Sequence, residues 1–385
     1  MSSFGSSLPL VHPRPYPYGS MDEAKRTLAP HLPLSAWLKP AVKPAVKPAK
    51  GPCAGNNNGD NNGDITVTYG KNNASVATVS SKVWPETSNF TRSLLPPPSS
   101  MLPDGSTLPS TPCVWLGAPC PPWTLSSLSS SLPTDETGGP LFDVDGGPLF
   151  ARSNLSRANV TLQNYQSYCA NNVDAFPLYI FHPIVPHTLP PLLNPHTLPS
   201  LPLTDAQSCL QGSHLKPLPP SWLLVASPGS GTPMHDHPLT VSWNVLTEGT
   251  KLWCVLPPDS TDGALGFREG EEEESAREFF ERGREELPED CRVIVQREGE
   301  IVYVPAGWFH VVLNLTVTVA ISNSVCTVQD FFKNWAELLE ADPEMAEEWL
   351  RRVGEDVLGK ESGEEARERM VGERRERRER EEGGG

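Results

Sequence analysis

The sequence predicts a mainly β domain in its second half, closed by helices and preceded by a long irregular leader. Three observations predict this. Of the 42 prolines, 34 fall in residues 1–220, and each removes a backbone donor that helices and central strands need. Charge divides along the same line: residues 1–220 carry 13 basic and 12 acidic side chains, and residues 221–385 carry 18 and 35. From residue 221 onward, short Val/Ile/Leu/Trp runs alternate with turn residues, the pattern of successive strands.

Taken in order, residues 1–146 alternate Pro, Ser, Gly and Asn clusters, among them 56–64 (NNNGDNNGD) and 125–132 (LSSLSSSL). Such segments bury too little apolar surface to offset the entropy of ordering, so this leader is expected to be largely disordered. Residues 65–69 (ITVTY) and 82–95 are candidate ordered pieces within it, and 39–50 (KPAVKPAVKPAK) reads as a solvated Lys/Pro linker. A domain is expected over 147–325. It opens with a short strand and helix at 159–169 and a buried strand at 176–181 (FPLYIF), interrupted by a Pro-rich insertion at 183–220. Strands follow at 222–226, 234–237, 241–246, 251–256, 292–296, 301–305 and 310–323. An acidic insertion at 268–290 reads as an exposed helix. At 326–355 the apolar period becomes three to four residues, which predicts two helices that cap the domain or form a homodimer surface. Residues 356–385 are a charged tail, read as solvated.

Several classes drop out. No apolar run approaches the roughly 18–20 residues of a membrane-spanning helix, and the first twenty residues lack the basic start and apolar core of a secretory signal. The eight cysteines contain no CxxC pair, so they read as reduced thiols of an intracellular protein, neither a disulfide framework nor a zinc site. The formal charge of −16 argues against direct nucleic-acid binding, which rests on Lys and Arg.

Two clusters carry chemistry. In 229–238 (GSGTPMHDHP), alternation along an extended chain puts His235 and His237 on one side and Asp236 on the other. In 299–314 (GEIVYVPAGWFHVVLN), Pro305 and Gly307 make a tight turn that aims His310 back at the sheet. Three imidazoles on one side of a metal leave the other side open, the facial arrangement of non-haem iron oxygenases. The plainer alternative is three hydrogen-bonded structural histidines.

The stretches 177–181 (PLYIF), 231–235 (GTPMH), 242–244 (SWN), 249–253 (GTKLW), 299–315 and 319–323 (VAISN) resemble a JmjC domain, closest to the lysyl-hydroxylase/arginine-demethylase branch. The resemblance implies a double-stranded β-helix (jelly-roll, cupin-type) fold with flanking helices, holding Fe(II) and 2-oxoglutarate. It makes His235 and His310 metal ligands, pairs Lys251 with the distal carboxylate of 2-oxoglutarate, and lines the cosubstrate site with Tyr179, Thr232, Asn244 and Ser322. Ser322 stands where that branch usually has Thr. Trp243 and Trp253 read as core. One departure matters: the branch's motif is His-x-Asp followed by Pro-Leu, and here Pro238-Leu239 follows His237. Either His235, His237 and His310 form a neutral three-imidazole face, the preferred reading, or a one-residue slip brings in Asp236 and turns His235 away.

The function expected is therefore an Fe(II)- and 2-oxoglutarate-dependent dioxygenase that hydroxylates or N-demethylates a protein side chain. The alternatives are an inactive JmjC-fold scaffold and a cupin of other metal chemistry. The acidic insertion matches a basic protein partner of histone or splicing-factor type, although a solvated helix explains it equally. The family points to the nucleus, and the cytoplasm is compatible.

Overall fold

A computed structural model describes residues 92–97, 100–117, 123–131, 142–145, 158–172, 174, 177–184, 201–211, 221–261, 265, 274–282, 291–360 and 363–382. The strands are β1 Arg92–Leu94, β2 Cys113–Leu116, β3 Phe142–Asp145, β4 Ala158–Val160, β5 Tyr179–Pro183, β6 Ser221–Ala226, β7 Gly231–His235, β8 Val241–Glu248, β9 Thr250–Leu256, β10 Arg292–Arg297, β11 Ile301–Val304, β12 Phe309–Asn314 and β13 Thr318–Val325. The helices are α1 Leu125–Ser131, α2 Leu162–Asn171, α3 Ala276–Arg282, α4 Val328–Ala341, α5 Pro343–Arg352, α6 Glu355–Leu358 and α7 Gly363–Glu382.

The strands form two sheets, ordered β1-β2-β11-β8-β13-β6-β5-β3-β4 and β10-β9-β12-β7. From β6 to β13 the chain passes back and forth between them, which makes the double-stranded β-helix. Period-2 alternation sets the layers. Val114, Val302 and Val304 of the large sheet meet Trp253, Val255, Ile294 and Val312 of the small one in a shared core. Side chains of opposite parity face outward. Ile180, Leu223, Val225, Val319 and Ile321 are covered by Leu128 of α1 and Leu162 and Tyr165 of α2. On the small sheet, Leu252, Cys254, Val293 and Val311 are covered by Phe279 and Phe280 of α3. Helices α4, α5 and α7 pack around Phe331, Trp335 and Trp349, and the Trp349 indole donates to the carbonyl of Ala206 at 2.7 Å. No helix among the described residues is long and apolar enough to cross a membrane.

Several expectations need correction. Structure begins well before 147: Val114 and Trp115 of β2 are buried, and β2 pairs with β11 (Val302↔Val114). Within the run 125–132, read as low complexity, residues 125–131 form helix α1, because Leu125 and Leu128 at three-residue spacing bury one stripe. The expectation of disorder for 1–91, including 65–69, lies outside the described residues, as do 185–200 and 212–220 of the Pro-rich insertion. The described part of the acidic insertion is not a solvated excursion, since Ala276, Phe279 and Phe280 of α3 are buried. The single strand read at 310–323 is two strands in different sheets, broken where the chain crosses between them at 315–317. The charged tail contains α7, whose Ala366 and Met370 are buried against the other helices. The apolar stripes of α4 and α5 pack within the chain, against each other and α7.

Candidate metal centre

The site lies between the sheets. His235 ends β7 and His310 lies in β12, and the two are direct cross-strand partners, so their ring centroids are only 4.1 Å apart. His237 comes just after the end of β7, not within a strand as the 234–237 reading had it. The turn at Pro305–Gly307 holds it from the other side. Gly307, at φ +77°, donates its N–H to the His237 carbonyl at 3.0 Å, a backbone conformation that suits glycine. Two residues on, the buried Asn334 of α4 donates its amide to the Leu239 carbonyl at 2.7 Å. These two bonds set the loop so that the His237 ring turns toward the other two, with centroids 5.2 Å from His235 and 5.3 Å from His310.

The ligand atoms of His235, His237 and His310 all lie within 4.8 Å of one another. The carbonyl of Pro233 is 2.8 Å from His235 Nδ1 and the carbonyl of Trp308 is 3.2 Å from His310 Nδ1. Each carbonyl places a proton on Nδ1 and leaves Nε2 with its lone pair facing the cavity, the orienting arrangement usual for metal-binding imidazoles. Burial lowers the affinity of all three rings for a second proton: His237 is pulled down to about 4 and His310 well below its ordinary value. Asp236 is absent from the cluster. Its carboxyl is shifted upward by burial and held back by the neighbouring His235. The structure thus brings together the three-imidazole set rather than the slipped register.

Lys251 of β9 points into the same cavity and is 1% exposed. Its Nζ has one hydrogen-bond partner among the described residues, the Tyr179 hydroxyl at 3.5 Å. Burial alone pushes it down to about 7. A buried ammonium so poorly partnered is costly unless an anion joins it. Thr232, Asn244 and Ser322 line the cavity beside Lys251, and the Asn244 Oδ1 is buried with no partner. These groups fit a small dicarboxylate: a buried, poorly partnered cation, hydroxyl and amide side chains beside it, and three imidazoles in the same cavity.

Two further buried side chains organise the cavity. Asn314 shares the parity of His310 along β12. Its Nδ2 donates to the Ser230 carbonyl at 3.0 Å and its Oδ1 accepts from Thr318 at 2.9 Å. Gln296 is fully buried. Its Oε1 accepts from the Trp253 indole at 2.9 Å, and its Nε2 donates to the carbonyls of Asn244 and Glu300. Trp253 in turn stacks on His310 at 5.8 Å and 27°, so it is both core and cavity wall, whereas Trp243 packs in the outer core as read. Sequence reasoning missed Asn314 and Gln296; the available signal was a polar residue at inward parity in an otherwise apolar strand.

Comparison with known proteins bears on this geometry. Residues 222–325 match the JmjC domain, a family described as hydroxylase. The chain is 27% identical over 218 residues to "Bifunctional arginine demethylase and lysyl-hydroxylase psr-1" of Caenorhabditis elegans, covering 52% of this chain and 53% of the relative. It is 29% identical over 176 residues to "Arginine-specific demethylase JMJ22" of Arabidopsis thaliana, covering 42% and 34%. Against "2-oxoglutarate and iron-dependent oxygenase JMJD4" of Gallus gallus it is 35% identical over 103 residues, covering 25% and 24%. The chain spans about half the length of the psr-1 relatives it matches.

Proposed function

Because residues 222–325 are a JmjC domain, we propose that this chain is an Fe(II)- and 2-oxoglutarate-dependent oxygenase that acts on a protein side chain. The observation that carries the proposal is the opposition, in one cavity, of three converging imidazoles and a buried, nearly unpartnered lysine. His235, His237 and His310 would hold the metal. Lys251 would pair with the distal carboxylate of 2-oxoglutarate, with Tyr179, Thr232, Asn244 and Ser322 along its length. When bound, iron and 2-oxoglutarate supply the oxidative decarboxylation that delivers one atom of dioxygen to a C–H bond.

The chain's own residues do the rest. The Pro233 and Trp308 carbonyls fix the ligand tautomers. Gln296 holds Trp253 against His310, and Val302, Val304 and Val312 of the inter-sheet core give the cavity an apolar wall. Names of the relatives bring hydroxylation and demethylation within the reading as reaction types. The chain's excess of acid is compatible with a basic partner protein, and the family resemblance favours a nuclear setting.

A second reading, a JmjC-fold scaffold without catalysis, is favoured by His237: the metal face carries no carboxylate, so two positive charges at the metal are left to the cosubstrate alone to balance. An anaerobic Fe(II) titration separates the two. A visible metal-to-ligand charge-transfer band that needs both Fe(II) and 2-oxoglutarate, and is absent in His310→Ala, is the expected result. Iron binding without the band would leave a cupin of other chemistry, and no iron binding would leave the scaffold.

A further inference from the structure

The charge census of the cavity says more about its substrate, given the function proposed above. Among the described residues, none of the side chains lining the cavity is a carboxylate. Metal-bound imidazoles are neutral. A divalent metal and a 2-oxoglutarate dianion cancel, so Lys251 leaves the loaded site with one surplus positive charge. An aspartate in the place of His237 would remove it. The nearest acid, Asp236, is not among the lining side chains.

The lining aromatic rings are largely engaged: Trp253 stacks on His310 and Trp243 packs in the outer core. Phe181 and Trp222 pack on each other at 4.8 Å and 46°, forming a wall rather than an open cage. The Tyr179 ring already has Lys251 Nζ 5.9 Å from its centroid. A carboxylate, by the same charge balance, is drawn toward the surplus charge, so the census rejects cations and not anions. What the wall does offer is neutral hydrogen bonding. Ser242 and Ser324 are direct cross-strand partners on β8 and β13, both line the cavity, and their hydroxyls have no partner among the described residues.

We propose that the side chain admitted to this cavity is a hydrogen-bonding, non-cationic one, of amide, hydroxyl or carboxyl type, and that lysine and arginine cations are rejected. The partner protein can still be basic; the residue oxidised is not. A cation about 6 Å from one uncompensated charge, at an effective dielectric constant of about 20, is disfavoured about 100-fold.

The test uses the full chain loaded with Mn(II) and 2-oxoglutarate under argon. N-acetyl amides of asparagine, lysine, arginine and aspartate are titrated in, and Mn(II)-induced broadening of each probe's side-chain protons is read by NMR. Broadening of the 2-oxoglutarate protons in the same tube reports the parent reading separately. The expected result is broadening of the asparagine probe with at least tenfold weaker response from lysine and arginine. His237→Asp should narrow that gap by about tenfold or more. Lysine or arginine broadened as strongly as asparagine or aspartate, or no probe broadened while 2-oxoglutarate is, overturns the proposal. Absence of 2-oxoglutarate broadening overturns the oxygenase reading along with it.

Discussion

Burial of Lys251 makes 2-oxoglutarate binding a proton-coupled event. The lysine's ordinary value is 10.5 and burial brings it to about 7, a difference equivalent to about 5 kcal/mol in favour of the neutral amine. A carboxylate arriving beside Nζ restores the charged form, so binding must take up protons. With half the lysine neutral at pH 7, uptake is about 0.5 proton per ligand there and about 0.9 at pH 8, and affinity falls about tenfold per pH unit from there toward pH 10. Calorimetric titration of Mn(II)-loaded protein in buffers of different ionisation enthalpy measures the uptake directly. Lys251→Met should abolish it and weaken binding about 10–150-fold, the worth of a charged hydrogen bond, without lowering the Tm of the ligand-free protein. The linkage sign agrees: the unfolded lysine holds its proton up to 10.5, so ligand-free stability rises between about pH 7 and pH 10.5. Proton uptake near zero at pH 8, or a Lys251→Met protein that binds 2-oxoglutarate normally, would refute the pairing.

Three other outcomes are expected. Gln296→Leu strands the Trp253 indole and two buried carbonyls, so urea unfolding should show a loss of about 2–4 kcal/mol; a loss under 1 kcal/mol would mean that Gln296 does not hold the wall. Gly231→Ala puts a Cβ 2.2 Å from the Val312 carbonyl oxygen and 2.6 Å from Ala276, which should displace β7. It should lower stability by about 3 kcal/mol and weaken metal binding, read by denaturation and metal titration. The imidazoles, His310 buried and His235 and His237 half-buried, bind fewer protons than they do unfolded, so metal-free stability should fall as pH drops from 6.5 toward about 4, with His237 contributing up to about 3 kcal/mol. A His237→Asn protein should show a shallower fall over that range, and an unchanged slope would count against the burial of this ring.

The sequence made part of the site legible. Alternation along an extended chain grouped His235 with His237 and set Asp236 apart, whereas the structure turns the His237 ring inward from a loop held by Gly307 and Asn334. The Pro-Gly turn pointed to His310. The close approach of His235 and His310 was not legible, since cross-strand register belongs to tertiary pairing and not to either segment alone. Gln296 was hidden for a related reason: a single polar residue in a strand reads as an edge or a break until the neighbouring carbonyls are in place. The leader misled most. Low complexity is a statement about average composition, whereas β2 needs only Val114 and Trp115 to bury. Helix α3 misled in the same way, because Phe279 and Phe280 sit among so many acids that the mean polarity concealed an apolar stripe.

The pairing of β2 with β11 has a practical consequence. Were β2 missing, β11 would become the edge of the large sheet, with its outward N–H and C=O groups unpaired and Tyr303 stripped of the Trp115 ring stacked on it at 5.0 Å. Unpaired apolar edges recruit other chains. A recombinant piece begun at residue 147, where the obvious compositional boundary lies, would thus expose a sticky ribbon directly behind the turn that positions His237 and His310. Such a piece should aggregate on expression, and its failure to bind iron would say nothing about the histidines. A piece begun ahead of Arg92 keeps the ribbon covered.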